Sequence, residues 1–174
     1  MEKRNNNTLK IAFCGILCAI NCVLLYLGSV VDVFDYTVSA LCGIVVTLAI
    51  VEFGNGAGIS VWLGTSAICL FILPSKFSSL LFVVFCGWYS FAKKVFEKKK
   101  PFTSYLLKFI IFNLSLFAIV FITVKFFALE NVTPLVIAGI WFLSNFTFFV
   151  YDSLLTRLII LWLVKFRKRF TFLK

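Results

Sequence analysis

The chain contains no histidine. This absence excludes the His-Glu-x-x-His zinc motif and the Ser-His and Cys-His pairs that activate a nucleophile in many hydrolases. The acidic residues number only 7 and are scattered, and no two of them share one apolar run at a spacing suited to acid–base chemistry. Phosphate-binding loops and dinucleotide-binding glycine fingerprints are also missing. We therefore expect that the protein is not an enzyme.

Cysteine is present, but not in the spacings that hold metals or redox pairs. The chain has 6 cysteines and no Cys-x-x-Cys pair. Cys14, Cys18 and Cys22 recur every fourth residue, which places them near one face of a helix, yet a thiolate is costly to bury in hydrocarbon. We interpret the cysteines as small packing residues, and we expect no metal, no disulfide and no cofactor.

Charged residues are scarce for a chain of this size. They make up 14% of the 174 residues, whereas 62% are hydrophobic and the mean hydropathy is +1.07. A soluble fold needs more polar side chains than this to cover its surface. The composition therefore predicts an integral membrane protein whose surface is covered by membrane lipid.

The few charges that occur are mainly basic, with a net charge of +10. In a soluble protein this excess would suggest nucleic acid as a partner, but here Lys and Arg gather in three clusters, at residues 3–10, 93–100 and 165–174, and do not follow one face. Positively charged loops of membrane proteins stay in the cytoplasm. We expect these clusters to be cytoplasmic, and we expect no nucleic-acid partner.

Six runs are long and apolar enough to cross a bilayer as helices. They occupy approximately residues 9–29, 37–53, 57–73, 77–94, 104–129 and 134–164, and residues 165–174 form a basic tail. The first run exceeds the apolar part of a signal peptide, so we interpret it as a retained span. The sequence predicts an all-α, multi-pass protein of the cell membrane, residues 1–174 forming one compact six-helix bundle with both termini cytoplasmic.

The last run carries two charges, Asp152 and Arg157. From Pro134 to Asp152 a helix covers about 28 Å, close to the thickness of the hydrocarbon layer, so Asp152 is expected near the inner boundary and Arg157 beyond it. The two lie on different helix faces. Glu52 is a hypothetical partner for Arg157, and Asp152 is available to cap a resumed helical turn. We favour the interpretation that Asp152 and Arg157 anchor the helix at the membrane interface. The alternative is that they couple the protein to a cytoplasmic partner.

The first span carries a stripe of small side chains, Ala12, Gly15, Ala19 and Cys22. Such stripes let another helix approach closely. The partner is either another span of this protein or an external subunit, and the sequence favours neither.

Amide side chains within the spans are expected to form hydrogen bonds between helices, above all Asn21 and Asn113. Asn145 differs because it lies one turn from Trp141 in the outer half of the last span, where a pocket open to the outside would be lined.

Six short spans, cytoplasmic termini, the small-residue stripe and a basic tail resemble the substrate-binding S component of an energy-coupling factor transporter. In that family the first helix carries an Ala-xxx-Ala type motif that contacts a transmembrane coupling subunit, and the segment from Gly15 to Ala19 is similar to it. The resemblance implies capture of a small micronutrient, such as a vitamin, from outside, followed by transport driven by separate ATPases. It further implies that five residues of the outer side line or gate the site: Asp32, Asp35, Tyr36, Trp141 and Asn145.

Two other functions are compatible with the same sequence. The chain is similar in size and span number to the rod-shape protein called MreD, which implies a scaffold subunit of a cell-envelope assembly whose working surfaces are the lysine cluster and the basic tail. A freestanding channel or secondary transporter is less favoured. Such proteins usually place an ionisable residue near the middle of the bilayer, whereas the carboxylates of this chain all fall near the ends of the predicted spans.

Overall fold

The computed structural model of the chain describes residues 2–31, 34–74, 76–97, 100–126 and 134–166. These residues form six helices: α1 (Glu2–Val30), α2 (Asp35–Phe53), α3 (Asn55–Ile72), α4 (Lys76–Phe96), α5 (Pro101–Phe126) and α6 (Pro134–Leu161). All six helices are long and apolar enough to cross a membrane, and the described ranges contain no strand. The predicted fold class, an all-α bundle of six membrane-spanning helices, is confirmed.

The turn between α2 and α3 consists of a single residue outside the helices. Gly54 adopts a φ of 89°, in the left-handed region that glycine enters without steric cost, and its N–H donates to the carbonyl of Ile50 at 3.0 Å. Asn55 and Gly56 already belong to α3. The connection is therefore tighter than the sequence suggests, and it fixes α2 and α3 as antiparallel neighbours.

Helix α4 is the central helix of the bundle. Within an 18-residue apolar stretch of α4, 56% of the residues are buried, against 17% in the corresponding stretch of α6. It packs mainly against α2 on one side and α5 on the other, while α1, α2 and α3 pack on one another and α6 packs on α2 and α5. Midway along α4, the N–H of Gly87 bonds to the carbonyl of Phe82, so that one wide π-helical turn spans Phe82–Cys86.

Large apolar side chains cover the outside of the bundle as well as its core. Phe142, within α6, is 79% exposed, and Phe71, near the end of α3, is 87% exposed. Soluble proteins rarely expose so much apolar surface to water, because its hydration is unfavourable. Lipid chains are as apolar as these side chains and can cover them. The exposed surface therefore agrees with a multi-pass membrane protein.

The two ends of the bundle are distinguished by the segments that meet there. At one end, here called the Gly54 end, the rings of Phe13 and Phe53 lie 5.1 Å apart and the Nζ of Lys94 donates to Oδ1 of Asn55 at 2.8 Å. The opposite end, here called the Asp35 end, begins with the first turn of α2. The Gly54 end therefore joins the start of α1, the α2–α3 turn and the lysine-rich end of α4.

Candidate functional site

A cavity of about 340 Å³ lies between α2, α4, α5 and α6, toward the Asp35 end. Its lining is apolar or neutral: Tyr36, Ser39, Ala40, Leu81, Phe85, Cys86, Phe112, Leu116, Ile119, Ile140, Leu143, Ser144, Thr147, Phe148 and Tyr151. Tyr36, at the edge of the cavity, is 54% exposed. The volume lies at the lower end of the range for pockets that bind small molecules.

Helical periodicity explains which residues of α6 line the cavity. Ile140, Ser144, Phe148 and Tyr151 are spaced by three or four positions, which places them on one helix face. On the facing side, the wide turn of α4 contributes Phe85 and Cys86. A π-helical turn widens a helix locally, and such turns are frequent at functional sites.

Three phenylalanines form the inner wall of the cavity. The rings of Phe112 and Phe148 are stacked at 4.4 Å with an interplanar angle of 9°, and Phe85 meets Phe112 edge to face at 5.2 Å. Tyr89 continues this aromatic cluster, with its ring 4.9 Å from that of Phe85. Tyr89 therefore lies between the cavity wall and a group of charges farther along the bundle.

That group of charges is centred on Asp152 of α6. Tyr89 donates to its Oδ1 at 2.7 Å, and Lys108 of α5 donates to its Oδ2 at 3.0 Å. Lys93 of α4 also pairs with the carboxylate, and its Nζ reaches Oγ1 of Thr156 at 2.7 Å. A single carboxylate therefore binds three helices together.

The charges of this cluster balance. Glu97 completes it, with Oε1 at 3.0 Å from Nζ of Lys93 and at 3.2 Å from Nζ of Lys108, so that two lysines face two carboxylates. The Lys93 side chain is only 2% exposed and that of Asp152 13%, whereas Glu97 is 42% exposed. Buried charges are costly unless they are paired and hydrogen-bonded, and here each lysine has several oxygen partners. We name Lys93, Glu97, Lys108 and Asp152 the ion cluster.

A groove of about 420 Å³ between α5 and α6 leads to the ion cluster from the outside of the bundle. Lys108 and Asp152 lie at its floor, Asn145 lines it, and Phe148 separates it from the cavity, because this ring lines both spaces. The cavity and the ion cluster are therefore adjacent, with aromatic rings between them.

The five residues expected to line a substrate site have different positions in the structure. Tyr36 lines the cavity. Asp35 is buried at the start of α2, where the hydroxyl of Ser78 donates to its carboxylate, and it is not part of the lining. Asp32 lies outside the described residues.

Trp141 and Asn145 lie on the neighbouring face of α6 and do not line the cavity, contrary to expectation. The indole N–H of Trp141 donates to Oδ1 of Asn113 at 2.8 Å, and Nδ2 of Asn113 donates to Oδ1 of Asn145 at 3.1 Å. These bonds tie α5 to α6, as expected for Asn113. The serine one position before Asn145, Ser144, takes its place in the cavity.

The stripe of small residues on α1 is divided between two faces. Ala12, Gly15 and Ala19 are exposed on the outside of the bundle, and a Cβ added at Gly15 would meet no atom within 4 Å among the described residues. Cys22 instead faces α3, where the Sγ of Cys69 lies 3.8 Å from its own. Within the described part of the chain, no other helix covers the exposed stripe.

Two interpretations of the charges near the Gly54 end are wrong. Helix α6 continues unbroken through Asp152, so this residue does not cap a resumed turn. Glu52 accepts a hydrogen bond from Nε1 of Trp162 at 3.3 Å, and within the described residues it forms no ion pair with Arg157, whose side chain is exposed.

Two residues of the ion cluster were not predicted as partners of Asp152. In the sequence, Lys93 is the first residue of the lysine-rich stretch that we expect at the cytoplasmic surface. In the structure it is buried, one turn from Tyr89 on the same face of α4. Lys108 is an isolated lysine within the apolar run Tyr105–Phe112. Both signals are visible in the sequence: a lone lysine among apolar residues needs a partner when it lies inside a span.

The chain matches no protein-family model, no curated protein and no solved structure.

Proposed function

We propose that the protein is a membrane subunit that captures a small micronutrient from outside the cell, as the resemblance to S components of energy-coupling factor transporters implies. The ligand enters the cavity at the Asp35 end. A separate coupling subunit with ATPases then completes its transport. The observation that carries this proposal is the cavity itself, which four helices enclose and which Tyr36 borders at the exposed edge.

The distribution of charge supports the orientation that capture requires. Lys94 and Lys100 are exposed near the Gly54 end, where the loop after α4 begins. Because basic loops remain in the cytoplasm, we assign the Gly54 end and both termini to the cytoplasm and the Asp35 end to the outside. The cavity then faces the compartment from which a nutrient arrives.

The outside of α1 supports a role for a transmembrane partner. Ala12, Gly15 and Ala19 leave a shallow, uncovered strip on this helix. Small side chains allow two membrane helices to approach closely, which favours van der Waals contact between their backbones. We assign this strip to the coupling subunit.

Purification of the tagged protein from its native host in mild detergent, followed by native mass spectrometry, tests the proposal. We expect a co-purifying small molecule together with a transmembrane subunit and ATPases. The variant Ser144→Phe, which replaces a small lining residue of the cavity by a large one, should lose the small molecule and keep the partners. Gly15→Leu should lose the partners and keep the small molecule.

The variant Val150→Phe is the matched control, because it adds the same ring to α6 at an exposed position outside the cavity lining. It should behave like the parent protein. Co-purification of cell-envelope assembly proteins, with no small molecule lost in Ser144→Phe, would contradict capture and would favour the scaffold function.

A further inference from the structure

We infer that the cavity binds an electrically neutral, mainly apolar molecule that contains a flat conjugated or aromatic ring and a hydrogen-bonding group within reach of Ser144. This inference rests on the proposed function and names the chemical class of its substrate.

The neutrality of the ligand follows from the lining. None of the described residues that line the cavity carries a charge. An ionised carboxylate, phosphate or ammonium group loses its hydration on entering such a space and finds no counter-charge there, which is strongly unfavourable. A cavity that accepts ions would need at least one partner of opposite sign.

The nearby ion cluster does not supply that partner. Lys93 and Lys108 are already paired with Asp152 and Glu97, so the cluster has no net charge to offer. Phe148 also stands between the cavity and the groove that reaches Asp152. A charged ligand would have to break these pairs and displace this ring.

The preference for a flat ring follows from the aromatic residues. Five of the lining residues are aromatic, namely Tyr36, Phe85, Phe112, Phe148 and Tyr151. Phe112 and Phe148 are already stacked in parallel, with Phe85 edge-on to both. Aromatic side chains bind another ring by offset stacking or edge-to-face contact, beyond the burial of apolar area alone.

The hydrogen-bonding group is assigned to Ser144. Its half-buried hydroxyl lines the cavity and has no hydrogen-bond partner within the described structure, whereas Thr147 bonds back to the carbonyl of Leu143 at 2.9 Å and Ser39 donates to the carbonyl of Ser78 at 3.1 Å. The Tyr151 hydroxyl also lacks a partner among these residues, but it is fully enclosed. Among the described lining residues, Ser144 is therefore the hydroxyl that a ligand can reach inside the cavity, and Tyr36 offers a second one at the exposed edge.

Three naphthalene probes that share the ring and differ in the charge of one small polar substituent test this inference: neutral 2-naphthol, anionic 2-naphthoate and cationic 2-naphthylmethylammonium. The full chain is reconstituted in lipid nanodiscs, and equilibrium dialysis measures binding against empty nanodiscs of the same lipid, which corrects for partition into the bilayer. We expect saturable binding of 2-naphthol, at least about tenfold tighter than that of either ion.

Variants at two positions locate the bound probe. Ser144→Ala should weaken binding of 2-naphthol by about 2–10-fold through the lost hydrogen bond, and Ser144→Phe should abolish it. Val150→Phe should leave it unchanged, and thermal unfolding of all variants identifies any that fail to fold.

Tighter binding of either ion overturns the inference, as does a lack of saturable binding of 2-naphthol. Unchanged 2-naphthol binding in a folded Ser144→Phe protein also overturns it. The proposed capture function fails separately, when the native protein carries no small molecule that Ser144→Phe removes. A co-purified ion that this variant removes would therefore overturn the inference and leave the capture function intact.

Discussion

The Nζ of Lys108 lies 3.0 Å from Oδ2 of Asp152, although 44 positions separate the two residues in the chain. Lys93 pairs with the same carboxylate from a third helix. Asp152 therefore holds α4, α5 and α6 together through one side chain. Tyr89 connects this junction to the cavity wall, because its hydroxyl donates to Asp152 and its ring packs against that of Phe148.

Asp152→Asn should destabilise the protein strongly. The variant leaves two buried lysines with only the half-exposed Glu97 as a counter-charge, and an uncompensated buried charge costs about 3–5 kcal/mol. Unfolding in detergent, followed by tryptophan fluorescence, measures the loss.

The double variant Lys93→Met/Asp152→Leu keeps the pair of Lys108 with Glu97 and removes one charge of each sign. It should recover most of the stability, because apolar replacements for a buried ion pair are often neutral. Glu97→Gln is the exposed control, and its cost should be smaller. Equal costs for Asp152→Asn and Glu97→Gln would contradict the role of Asp152 as the centre of the cluster.

Asn21→Leu should stabilise the protein by about 1–3 kcal/mol. Asn21 is 0% exposed, and within the described residues neither its Nδ2 nor its Oδ1 has a hydrogen-bond partner, contrary to the inter-helix bond expected from the sequence. Burying the amide of Asn21 without hydrogen bonds is unfavourable, and an apolar side chain of similar size avoids this cost.

The same unfolding experiment measures the effect of Asn21→Leu. Asn113→Leu is the contrasting variant, because Asn113 bonds with Trp141 and Asn145. It should lower stability by about 0.6 kcal/mol or more for each bond lost. A loss of stability in Asn21→Leu would mean that the amide has a partner that the structure does not contain.

Gly43→Ala should destabilise the bundle where α2 contacts both α4 and α6. A Cβ at this position would collide with the Tyr151 hydroxyl and with the backbone carbonyl of Cys86. Overpacking of this kind costs about 1–3 kcal/mol. Removing the hydroxyl with Tyr151→Phe should restore part of the loss, and a double-mutant cycle measures this coupling.

Gly15→Ala provides the control for the glycine change. Its Cβ would meet no neighbour within 4 Å, and alanine favours the helical state over glycine. This variant should gain about 0.5–1 kcal/mol. A gain at Gly43 as well would show that α2 approaches α4 and α6 less closely than these contacts require.

The six helices could be predicted from the sequence because length and apolarity alone decide whether a segment can cross a bilayer. The sequence does not predict which face of each helix points toward the cavity and which toward its neighbours. Trp141, Ser144 and Asn145 lie within one turn of α6, and large apolar side chains surround them on all sides. No amphipathic pattern distinguishes the face toward the cavity from the face toward Asn113, so only the packing of α5 and α6 decides it.

The pairings within the ion cluster could not be predicted from the sequence either. Asp152 was recognised as unusual, but its partners lie 59 and 44 positions earlier in the chain. Lys94, the next residue along α4, is exposed, and two adjacent lysines give no sign in the sequence that Lys93 is buried. A pairing between distant positions depends on how three helices pack, which local periodicity does not specify.

The assignment of the two ends to membrane sides is tested by cysteine labelling. In a chain whose six cysteines are replaced by serine or alanine, Val31→Cys and Lys100→Cys introduce single thiols at two exposed positions at opposite ends of the bundle. Because basic segments remain in the cytoplasm, a membrane-impermeant maleimide should label Val31→Cys in intact cells, and it should label Lys100→Cys only after permeabilisation. Detergent-solubilised samples control for reactivity, since both thiols should then label equally. The reverse pattern in intact cells would place the Tyr36 edge of the cavity on the cytoplasmic side, and capture from outside would no longer be possible.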